Sequence, residues 1–300
     1  MDPKTAFLST RPWSFTMTFS AVTMGTLMAA LAGKFSPLLY LLTLGGMVAF
    51  HAATNVLNDF FDVRHGVDRQ GAPTTKYRLH PAAIGQTPLS SILGISLGLY
   101  AVTILAGVYL ALVSSLSILL IIVAGIAGSV LYTADPVVLK ARALGEATVF
   151  AMWGLLIPLG SYMTETGASS PAPVIAAIPI GIFVALVLLA NNIRDIDYDG
   201  SVDNRTLAVA LGAPKAVKLY VVLLWSAYAL VIVGMLARLL PVWSFAVFLT
   251  APGARNLGRM FGPPVPDDAD PRTAALAFKF ALLYMASLLV AVFLPATLPV

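Results

Sequence analysis

Long apolar runs separated by short polar segments dominate the pattern of this chain. We find about nine of them, most near the roughly 20 residues that a helix needs to cross about 30 Å of hydrocarbon. They lie near residues 13–32, 37–57, 89–112, 117–134, 144–163, 174–192, 216–237, 241–254 and 273–295. The eighth is the weakest, because Pro241 and Pro252 bracket a short stretch. The pattern predicts an all-α, polytopic membrane protein with about nine transmembrane helices in a bundle.

The composition agrees with a membrane environment. Apolar residues make up 59% of the chain and charged residues 11%, whereas soluble domains carry about 25% charged residues. This argues against a soluble enzyme and against a disordered chain. The apolar residues come in runs rather than in alternation, which argues against a transmembrane barrel. The chain has no cysteine, so disulfides, thiolate metal sites and cysteine nucleophiles are excluded.

The charges are distributed unequally between the two sides that nine spans create. Of the 18 lysines and arginines, all but Lys34 and Arg238 fall on the amino-terminal side, and of the 14 acids only Glu165 falls on the other. Lysine and arginine concentrate in cytoplasmic loops. We therefore expect a cytoplasmic N-terminus in a multi-pass protein of the cell (plasma or inner) membrane.

Seven of the 14 acids lie in two clusters, about 137 residues apart. The first cluster holds Asp59, Asp62 and Asp68; the second holds Asp195, Asp197, Asp199 and Asp203. This distance equals four predicted helices, so we expect two four-helix repeats plus one helix within a single domain over residues 1–300. A further acidic stretch at 267–270 follows the proline-rich residues 263–266, and together they indicate a flexible inner loop.

Spacing within the two clusters places polar side chains on one helical face. Asn58 and Asp62 are four residues apart, as are Asn191, Asp195 and Asp199, and Asp203 would follow if the helix persists past Gly200. Carboxylates stacked in this way repel each other and destabilise the helix unless a positive charge offsets them. The donor atoms are all oxygen, which favours a hard cation such as Mg²⁺. The predicted metal ligands are Asn58, Asp59, Asp62, Asp195 and Asp199.

Cationic residues flank the acidic clusters in a way that suits a phosphate group. Arginine forks match phosphate oxygens and lysine supplies a point charge. Positive-inside topology alone would also explain most of these cations. The candidates near the clusters and in the loop between the fourth and fifth runs are Arg11, Arg64, Lys76, Arg78, Lys140 and Arg194.

At these residues the chain resembles the UbiA superfamily of intramembrane aromatic prenyltransferases. Asn58-Asp59-Phe60-Phe61-Asp62 is similar to the first family signature, and Asp195 with Asp199 to the second. Several segments are most similar to the 1,4-dihydroxy-2-naphthoate polyprenyltransferase branch. These are Gly66-Val67-Asp68, Asn191-Asn192-Ile193-Arg194-Asp195, Arg205-Thr206-Leu207-Ala208-Val209, Tyr132-Thr133 followed by Pro136, Leu144-Gly145-Glu146, and Arg11-Pro12-Trp13-Ser14-Phe15. There is one departure, since the branch usually has Gly-Lys where this chain has Asp203-Asn204.

The resemblance implies a fold and a reaction. Nine helices surround a central cavity, and cytoplasmic cap loops at 58–88 and 194–215 cover the acidic motifs. The implied activity is Mg²⁺-dependent transfer of a polyprenyl group from polyprenyl diphosphate to an aromatic acceptor, first of all 1,4-dihydroxy-2-naphthoate in menaquinone biosynthesis. Alternative acceptors are 4-hydroxybenzoate, another quinone precursor or a glycerol phosphate lipid. We expect the lipid bilayer, and no nucleic acid, as a further partner.

The resemblance also assigns roles to residues. Asp62, Asp195, Lys140 and Arg64 are the predicted catalytic residues, and Tyr132 joins the six cations named above in binding the diphosphate. The predicted acceptor and prenyl pocket contains Trp13, Phe15, His51, Asn55, Asn191 and Asn192. His51 lies one helical turn before Asn55, where it could be a general base or make a structural hydrogen bond.

A secondary transporter is the main alternative of another class, because intramembrane acids and internal repeats occur there too. Transporter sites lie near the bilayer midplane, whereas both clusters lie at the ends of predicted spans. Their position therefore favours the enzyme.

Overall fold

The computed structural model describes residues 3–262 and 265–296, and the regular elements in this part of the chain are helices. Seven of the described helices are long and apolar enough to cross a membrane. The main segments are α1 (Pro12–Leu31), α2 (Pro37–Arg64), α3 (Leu89–Val113), α4 (Ile118–Thr133), α5 (Gly145–Thr166), α6 (Ala172–Arg194), α7 (Ala213–Leu236), α8 (Ala251–Met260) and α9 (Ala269–Phe293). The all-helical prediction is confirmed.

The fourth and eighth predicted spans differ from the other seven. α4 has only 16 residues, about 24 Å at 1.5 Å per residue. The eighth consists of a 3₁₀ segment, Val242–Thr250, followed by α8. Pro252 lacks a backbone N–H and its ring crowds the preceding turn, which accounts for a change of helix type near residue 251.

Contacts at both ends of α4 show how far this helix runs. Ser114, after α3, donates to the carbonyl of Thr164 near the end of α5 (2.7 Å). At the opposite end, His65 after α2 lies 3.1 Å from Asp135 after α4. α4 therefore returns along the length of the bundle.

The 3₁₀ segment and α8 likewise run beside α9. Near one end, the Trp243 indole donates to the carbonyl of Leu294 (2.8 Å). At the other end, Arg272 contacts the Met260 sulfur (3.4 Å). The segment from Val242 to Met260 thus extends along the same distance as α9, in the opposite direction.

The first acidic motif lies on helix rather than in a loop. α2 begins after Ser36, whose hydroxyl accepts from the N–H of Leu39, with Pro37 in the first turn. Its 28 residues make it about 42 Å long, so its last turns extend beyond a hydrocarbon layer of about 30 Å. The cap predicted at 58–88 is therefore non-helical only from residue 65, apart from a short helix at Thr74–Tyr77.

The second cap also contains more helix than predicted. Short helices at Ile196–Ser201 and Leu207–Leu211 lie within the predicted loop 194–215, and α7 already begins at Ala213. Asp203 has a left-handed backbone (φ 57°). The helix therefore does not persist to Asp203, and this residue does not continue the face of Asp195 and Asp199.

The inner loop predicted at 263–270 is shorter than expected. Pro263 and Pro264 lie outside the described residues. α9 begins at Ala269, so Asp270 is in its first turn. This position brings Asp270 to the end of α6, where it meets Arg194.

Packing and exposure are both consistent with a bilayer around the bundle. The largest cluster of buried side chains lies between α6, α7 and α9, where the rings of Phe183, Tyr228 and Phe280 contact each other. Large apolar side chains face outward, including Leu105 at 72% and Leu120 at 73% exposure. Such a broad exposed apolar surface is a surface for lipid.

α5 contains an irregular stretch beside the cavity described below. Residues Ala151–Leu156 form a π-helical segment, a feature often found at functional sites. Gly154 in this segment faces Gly181 of α6 so closely that a Cβ on Gly181 would lie 2.5 Å from the Gly154 Cα. Glycine at both positions therefore allows α5 and α6 to pack backbone to backbone.

Candidate active site

Both acidic motifs line one cavity, which has a volume of about 620 Å³. The first motif contributes Asn58 and Asp62 from α2, and the second contributes Asp195 and Asp199 from the end of α6 and the short helix after it. The two stretches are remote in sequence but adjacent in space. This juxtaposition is what a shared cation site requires.

Asn58, Asp62 and Lys140 form a closed set of hydrogen bonds at the cavity wall. The Asn58 amide donates to Asp62 Oδ2 (2.7 Å). The Lys140 ammonium donates to Asn58 Oδ1 (2.6 Å) and forms a short ion pair with Asp62 Oδ1. One turn of α2 separates the two motif residues, so their side chains stack as the spacing predicted. Tyr132 presents its ring 5.9 Å from the Lys140 ammonium.

Asp59 has a different environment from the other predicted metal ligands. It is 3% exposed, and it accepts a short hydrogen bond from Arg11 and two from Arg78 (2.7 and 2.9 Å). Asp59 is not among the side chains that line the cavity, whereas Arg11 and Arg78 are. The carboxylate thus neutralises two arginines behind the cavity wall.

Asp68 ties the first cap to this arginine pair. It accepts hydrogen bonds from Thr74 (2.7 Å) and pairs with His80 (2.8 Å), and Arg78 lies 3.8 Å away. Burial opposes ionisation, but the hydrogen bonds from His80 and Thr74 hold the pKa of Asp68 well below its usual range. Asp59, Asp68 and His80 lie close enough to share a cation, but the two arginines already supply the positive charge there.

In the second motif, Asp195 is engaged by its neighbour Arg194. The guanidinium donates to both carboxylate oxygens (2.9 and 2.8 Å) and to Asn191 Oδ1 (2.8 Å). It also contacts Asp270 through a short ion pair and lies 4.0 Å from the Tyr77 ring. Arg194 therefore joins the second motif to the first cap and to α9.

Asp199 lacks a cationic hydrogen-bond partner among the described residues. Its Oδ1 accepts from the Asn204 amide (2.9 Å). Burial raises the pKa of Asp199 to about 7; the Asn204 hydrogen bond opposes this shift, and the charges of Asp195 and Asp62 add to it. The influence of Asp62 reflects how close the two motifs come.

The structure accommodates Asp203 and Asn204, the two residues at which the sequence departs from the Gly-Lys pattern described above. Position 203 has a left-handed φ of 57°, a conformation that glycine adopts freely and that aspartate tolerates better than most residues. The side chain of the next residue, Asn204, donates to Asp199 and lines the cavity. Asn204 therefore places an amide beside Asp199, at the position where the resemblance described above implies a lysine.

Contacts between the caps close this end of the molecule. The Tyr198 hydroxyl donates to the carbonyl of Val67 (2.7 Å). The N–H of Ala143 donates to the carbonyl of Arg205 (3.0 Å). These bonds connect the first cap, the second cap and the loop that carries Lys140.

The predicted acceptor pocket is only partly formed as expected. Trp13, His51 and Asn55 line the cavity, whereas Phe15 lies behind it and packs edge-on against His51 (5.5 Å between ring centres). The His51 nitrogens lie 2.8 Å from the Thr18 hydroxyl and 3.3 Å from the Ser14 hydroxyl. This arrangement favours the structural role for His51 over that of a general base.

The paired asparagines also line the cavity but face different partners. Asn191 contacts Arg194, as described above. Asn192 donates to Glu146 Oε1 (2.9 Å), and both residues are buried. Asn192 is thus held in place from α5.

Four of the six predicted cations, Arg11, Arg78, Lys140 and Arg194, line the cavity; Arg64 and Lys76 do not. Arg64 lies two residues after Asp62, about 200° around the helix, and stacks on Phe61 at the surface. Lys76 lies on the short cap helix and is exposed. The predicted diphosphate-binding roles of Arg64 and Lys76, and the catalytic role of Arg64, do not fit these positions.

The sequence reasoning missed several residues at this site. Tyr77, Trp153, Tyr198 and Asp270 line the cavity. The acidic stretch at 267–270 was visible in the sequence, but its contact with Arg194 depends on where α9 begins. Trp153 gave no local signal, because its orientation follows from the π-helical segment of α5.

The residues present fit a hard cation. Asn58, Asp62, Asp195 and Asp199 offer only oxygen ligands, as Mg²⁺ prefers. In addition, Asn204 Oδ1 is buried and has no hydrogen-bond donor among the described residues. A buried acceptor without a donor next to a carboxylate is the environment that a cation would complete.

Comparisons with known proteins agree with this geometry. Residues 18–283 match the model of the UbiA prenyltransferase family. The chain is 32% identical to the 1,4-dihydroxy-2-naphthoate octaprenyltransferase of Bacillus subtilis, over 81% of this chain and 77% of that protein. It is 30% identical to the UbiA prenyltransferase domain-containing protein 1 homolog of Drosophila melanogaster, over 95% of this chain and 79% of that protein.

Solved structures show the same fold. A UbiA homolog from Aeropyrum pernix K1 superposes with a TM-score of 0.70 at 19% identity, covering 91% of this chain and 97% of that one. A UbiA homolog from Archaeoglobus fulgidus bound to DMAPP and Mg²⁺ gives a TM-score of 0.59 at 12% identity, covering 94% and 99%. Because the family model and the relatives span most of the helical bundle and both acidic motifs, this multi-pass integral membrane protein belongs to the UbiA prenyltransferase family.

Proposed function

We propose that this protein transfers a polyprenyl group from polyprenyl diphosphate to 1,4-dihydroxy-2-naphthoate in a Mg²⁺-dependent reaction of menaquinone biosynthesis. The observation that carries the proposal is the convergence of the two acidic motifs, with Lys140 and three arginines, on one cavity. A site with both carboxylates and cations suits a diphosphate together with its metal ions.

The metal ligands we propose are Asn58, Asp62, Asp195 and Asp199. Asp59 is left out of this set, because it does not line the cavity and its carboxylate is paired with Arg11 and Arg78. Its support for the site is indirect, through the position of these arginines. When bound, Mg²⁺ would neutralise the charge that develops on the leaving diphosphate.

Lys140, Arg78, Arg11 and Arg194 are the proposed diphosphate contacts, with Tyr132 beside Lys140. Each lines the cavity. Fixed cations in a partly buried site stabilise charge on the leaving group more than the same cations in water. Lys140 and the Arg78–Arg11 pair approach from different segments, so both ends of a diphosphate can be contacted.

The reaction itself exchanges one bond for another at the allylic C1 of the donor. The C1–O bond breaks, and its electron pair leaves with the diphosphate. An aromatic ring carbon of the acceptor forms the new C–C bond. With dihydroxynaphthoate, loss of the ring carboxylate as CO₂ restores aromaticity; with an acceptor lacking a carboxylate there, a ring proton leaves instead. Aromatic faces such as Tyr132 and Trp13 stabilise positive charge at C1.

The choice of acceptor rests on sequence similarity more than on geometry. The similarity to the Bacillus subtilis naphthoate enzyme favours dihydroxynaphthoate, while the Drosophila relative has a comparable identity. Trp13 and Asn55 provide an aromatic face and an amide beside the cavity. The other quinone precursors and a glycerol phosphate lipid remain the alternatives that the experiment below compares.

We further propose a topology with nine membrane crossings, a cytoplasmic N-terminus and a single domain over residues 1–300, in the cell membrane. α4 and the segment from Val242 to Met260 each extend along the length of the bundle, which supports two crossings in addition to the seven long helices. α2 and α6 both end at an acidic motif, which supports the two four-helix repeats. The cap segments at 65–88 and 195–212 then lie over the cytoplasmic end.

The test is product analysis in membranes that contain this protein. Membranes receive one polyprenyl diphosphate, Mg²⁺ and, separately, dihydroxynaphthoate, 4-hydroxybenzoate or glycerol phosphate, and products are identified by mass spectrometry. We expect a decarboxylated prenyl naphthoquinol, and no product in the presence of EDTA. A different prenylated acceptor would correct the substrate, whereas product formation in excess EDTA would contradict the metal-dependent mechanism.

A further inference from the structure

Asn204 uses only one half of its amide group in hydrogen bonding within the described residues. Its Nδ2 donates to Asp199 Oδ1 (2.9 Å). Its Oδ1 is buried and has no donor within the described part of the chain. A buried carbonyl oxygen without a donor is costly unless something else, such as a cation, occupies its lone pairs.

The Asn204–Asp199 pair repeats the arrangement of the first motif. There, the Asn58 amide donates to Asp62 (2.7 Å) in the same way, which leaves Asn58 Oδ1 free to face a positive charge, in this structure the Lys140 ammonium (2.6 Å). Asn204 Oδ1 has the corresponding freedom but, among the described residues, no such cation. Each motif thus offers one amide oxygen next to one carboxylate.

The backbone holds Asn204 in this position. Its N–H donates to the carbonyl of Asp199 (2.9 Å), and the left-handed residue before it, Asp203, turns the chain back toward the short helix Ile196–Ser201. Two hydrogen bonds therefore fix Asn204 relative to Asp199. A ligand fixed in this way needs little rearrangement on binding.

We propose that Asn204 is an additional ligand of the divalent cation that Asp199 binds, through its Oδ1 oxygen. The proposal rests on the proposed metal-dependent function of the same cavity. Under this assignment the two cation-binding halves of the site are alike, each with an amide oxygen and a carboxylate. The cation at the second motif would then be held by Asn204, Asp199 and Asp195.

The experiment measures Mn²⁺ binding directly. The purified full-length protein in detergent is titrated with Mn²⁺ in the presence of inorganic diphosphate, and free Mn²⁺ is followed by electron paramagnetic resonance. We expect Asn204→Ala to weaken Mn²⁺ binding by about 10-fold or more, the range seen when groups around a metal site are removed. Asn204→Asp keeps an oxygen in place and adds a charge, so it should bind Mn²⁺ more tightly than the unaltered protein.

Asp203→Asn is the matched control. It removes a charge from the exposed neighbouring residue, and asparagine also tolerates the left-handed backbone. We expect its Mn²⁺ titration to match that of the unaltered protein. Melting temperatures of all variants identify any that are not folded.

Three results would overturn the proposal. They are unchanged Mn²⁺ binding by folded Asn204→Ala, equal weakening by Asn204→Ala and Asp203→Asn, and binding by folded Asn204→Asp that is no tighter than that of the unaltered protein. If Asn204→Ala does not fold, the Asn204→Asp titration decides alone. Prenyl transfer is measured on the same preparation: absence of any prenylated product together with the expected Mn²⁺ pattern would refute the proposed function but not the ligand assignment.

Discussion

Lys140 is the cavity cation with the most closely defined surroundings. It contacts both Asn58 and Asp62 and approaches the ring of Tyr132. Lys140→Ala should lower kcat/KM for the prenyl donor by about 100-fold, because it removes a fixed positive charge from the leaving group. The measurement is steady-state kinetics with varied polyprenyl diphosphate.

Lys76→Ala is the control for this prediction. It removes the same charge from the same end of the molecule, but Lys76 is exposed and does not line the cavity. Its kinetics should match those of the unaltered protein. An equal loss in both variants would show that net charge, rather than the position of Lys140, accounts for the effect.

Asp59 and Asp62 should respond differently to the same substitution. Asp59→Asn removes the carboxylate that Arg11 and the largely buried Arg78 share, and leaves Arg78 with Asp68 at 3.8 Å. Loss of one partner of a buried pair costs about 3–5 kcal/mol. Asp62→Asn should abolish turnover with a smaller loss of stability, because Asp62 lines the cavity. Thermal unfolding in detergent and turnover per folded molecule separate the two effects, and equal stability of the two variants would contradict this interpretation of Asp59.

Residue spacing predicted part of the site and not the rest. The four-residue intervals gave Asn58, Asp62, Asp195 and Asp199, since these intervals place side chains on one face wherever the helix lies. Arg64 and Lys76 do not line the cavity, because closeness in sequence to a motif does not determine the side of a helix or cap that a residue occupies. The partners of Asp59 and the role of Asp270 depend on tertiary contacts, which have no local signature.

At the scale of elements, the π-helical segment of α5 separates two cavities. Met152 from this segment and Phe50 from α2 line both the main cavity and a second, apolar cavity of about 90 Å³ between α2, α3, α4 and α5. Apolar cavities of roughly this size stay dry and take up hydrocarbon. We expect distal isoprene units of the donor to extend past Met152 into it.

A side chain that fills the apolar cavity should therefore shift the preference of the protein toward donors with shorter prenyl chains. Gly125 on α4 lines it, and a Cβ there would make only an ordinary contact with Phe50 (3.8 Å). Gly125→Leu should lower kcat/KM for a long polyprenyl donor relative to a short one by about 10-fold or more, the usual effect of a pocket that is too small for part of its substrate. Competition between a long and a short diphosphate, read by mass spectrometry, measures this ratio.

The control for Gly125 is Gly98→Leu on α3. Gly98 is exposed, and a Cβ there would meet nothing within 4 Å, so leucine at this position only adds apolar surface toward lipid. The donor preference of Gly98→Leu should be unchanged. The idea fails if Gly125→Leu has lower activity with both donors in the same proportion.

The lengths of the apolar runs predicted the main helices, but not the segments whose backbone departs from a regular α-helix. Seven runs correspond to helices that are long and apolar enough to cross the hydrocarbon layer. The π-helical segment at Ala151–Leu156 and the 3₁₀ segment at Val242–Thr250 have equally apolar sequences. Their backbone form depends on neighbours, such as the contact of Gly154 with Gly181, and could not be read from hydrophobicity.

At the scale of the whole molecule, the charges separate the two ends of the bundle. Both acidic motifs and the cavity cations lie at one end. Lys34, two residues before the contact of Ser36 with Glu165, and Arg238, which follows α7, fall in connections at the other end. The sequence alone predicted this division, because the positive-inside rule acts on whole loops and tolerates errors in helix ends. The structure adds that the divided charges also assemble a site.

The absence of cysteine from the chain makes this topology directly measurable. Single cysteines replace Lys76 and Lys34, which are both exposed and lie at opposite ends of the bundle. A membrane-impermeant thiol reagent should label Lys34→Cys in intact cells and Lys76→Cys only in inverted vesicles, because the proposed topology places the N-terminal side in the cytoplasm. Labelling of both variants from the same side would contradict an odd number of crossings between residues 34 and 76. Labelling of Lys76→Cys in intact cells would place the cavity on the outer side, where a cytoplasmic diphosphate donor could not reach it.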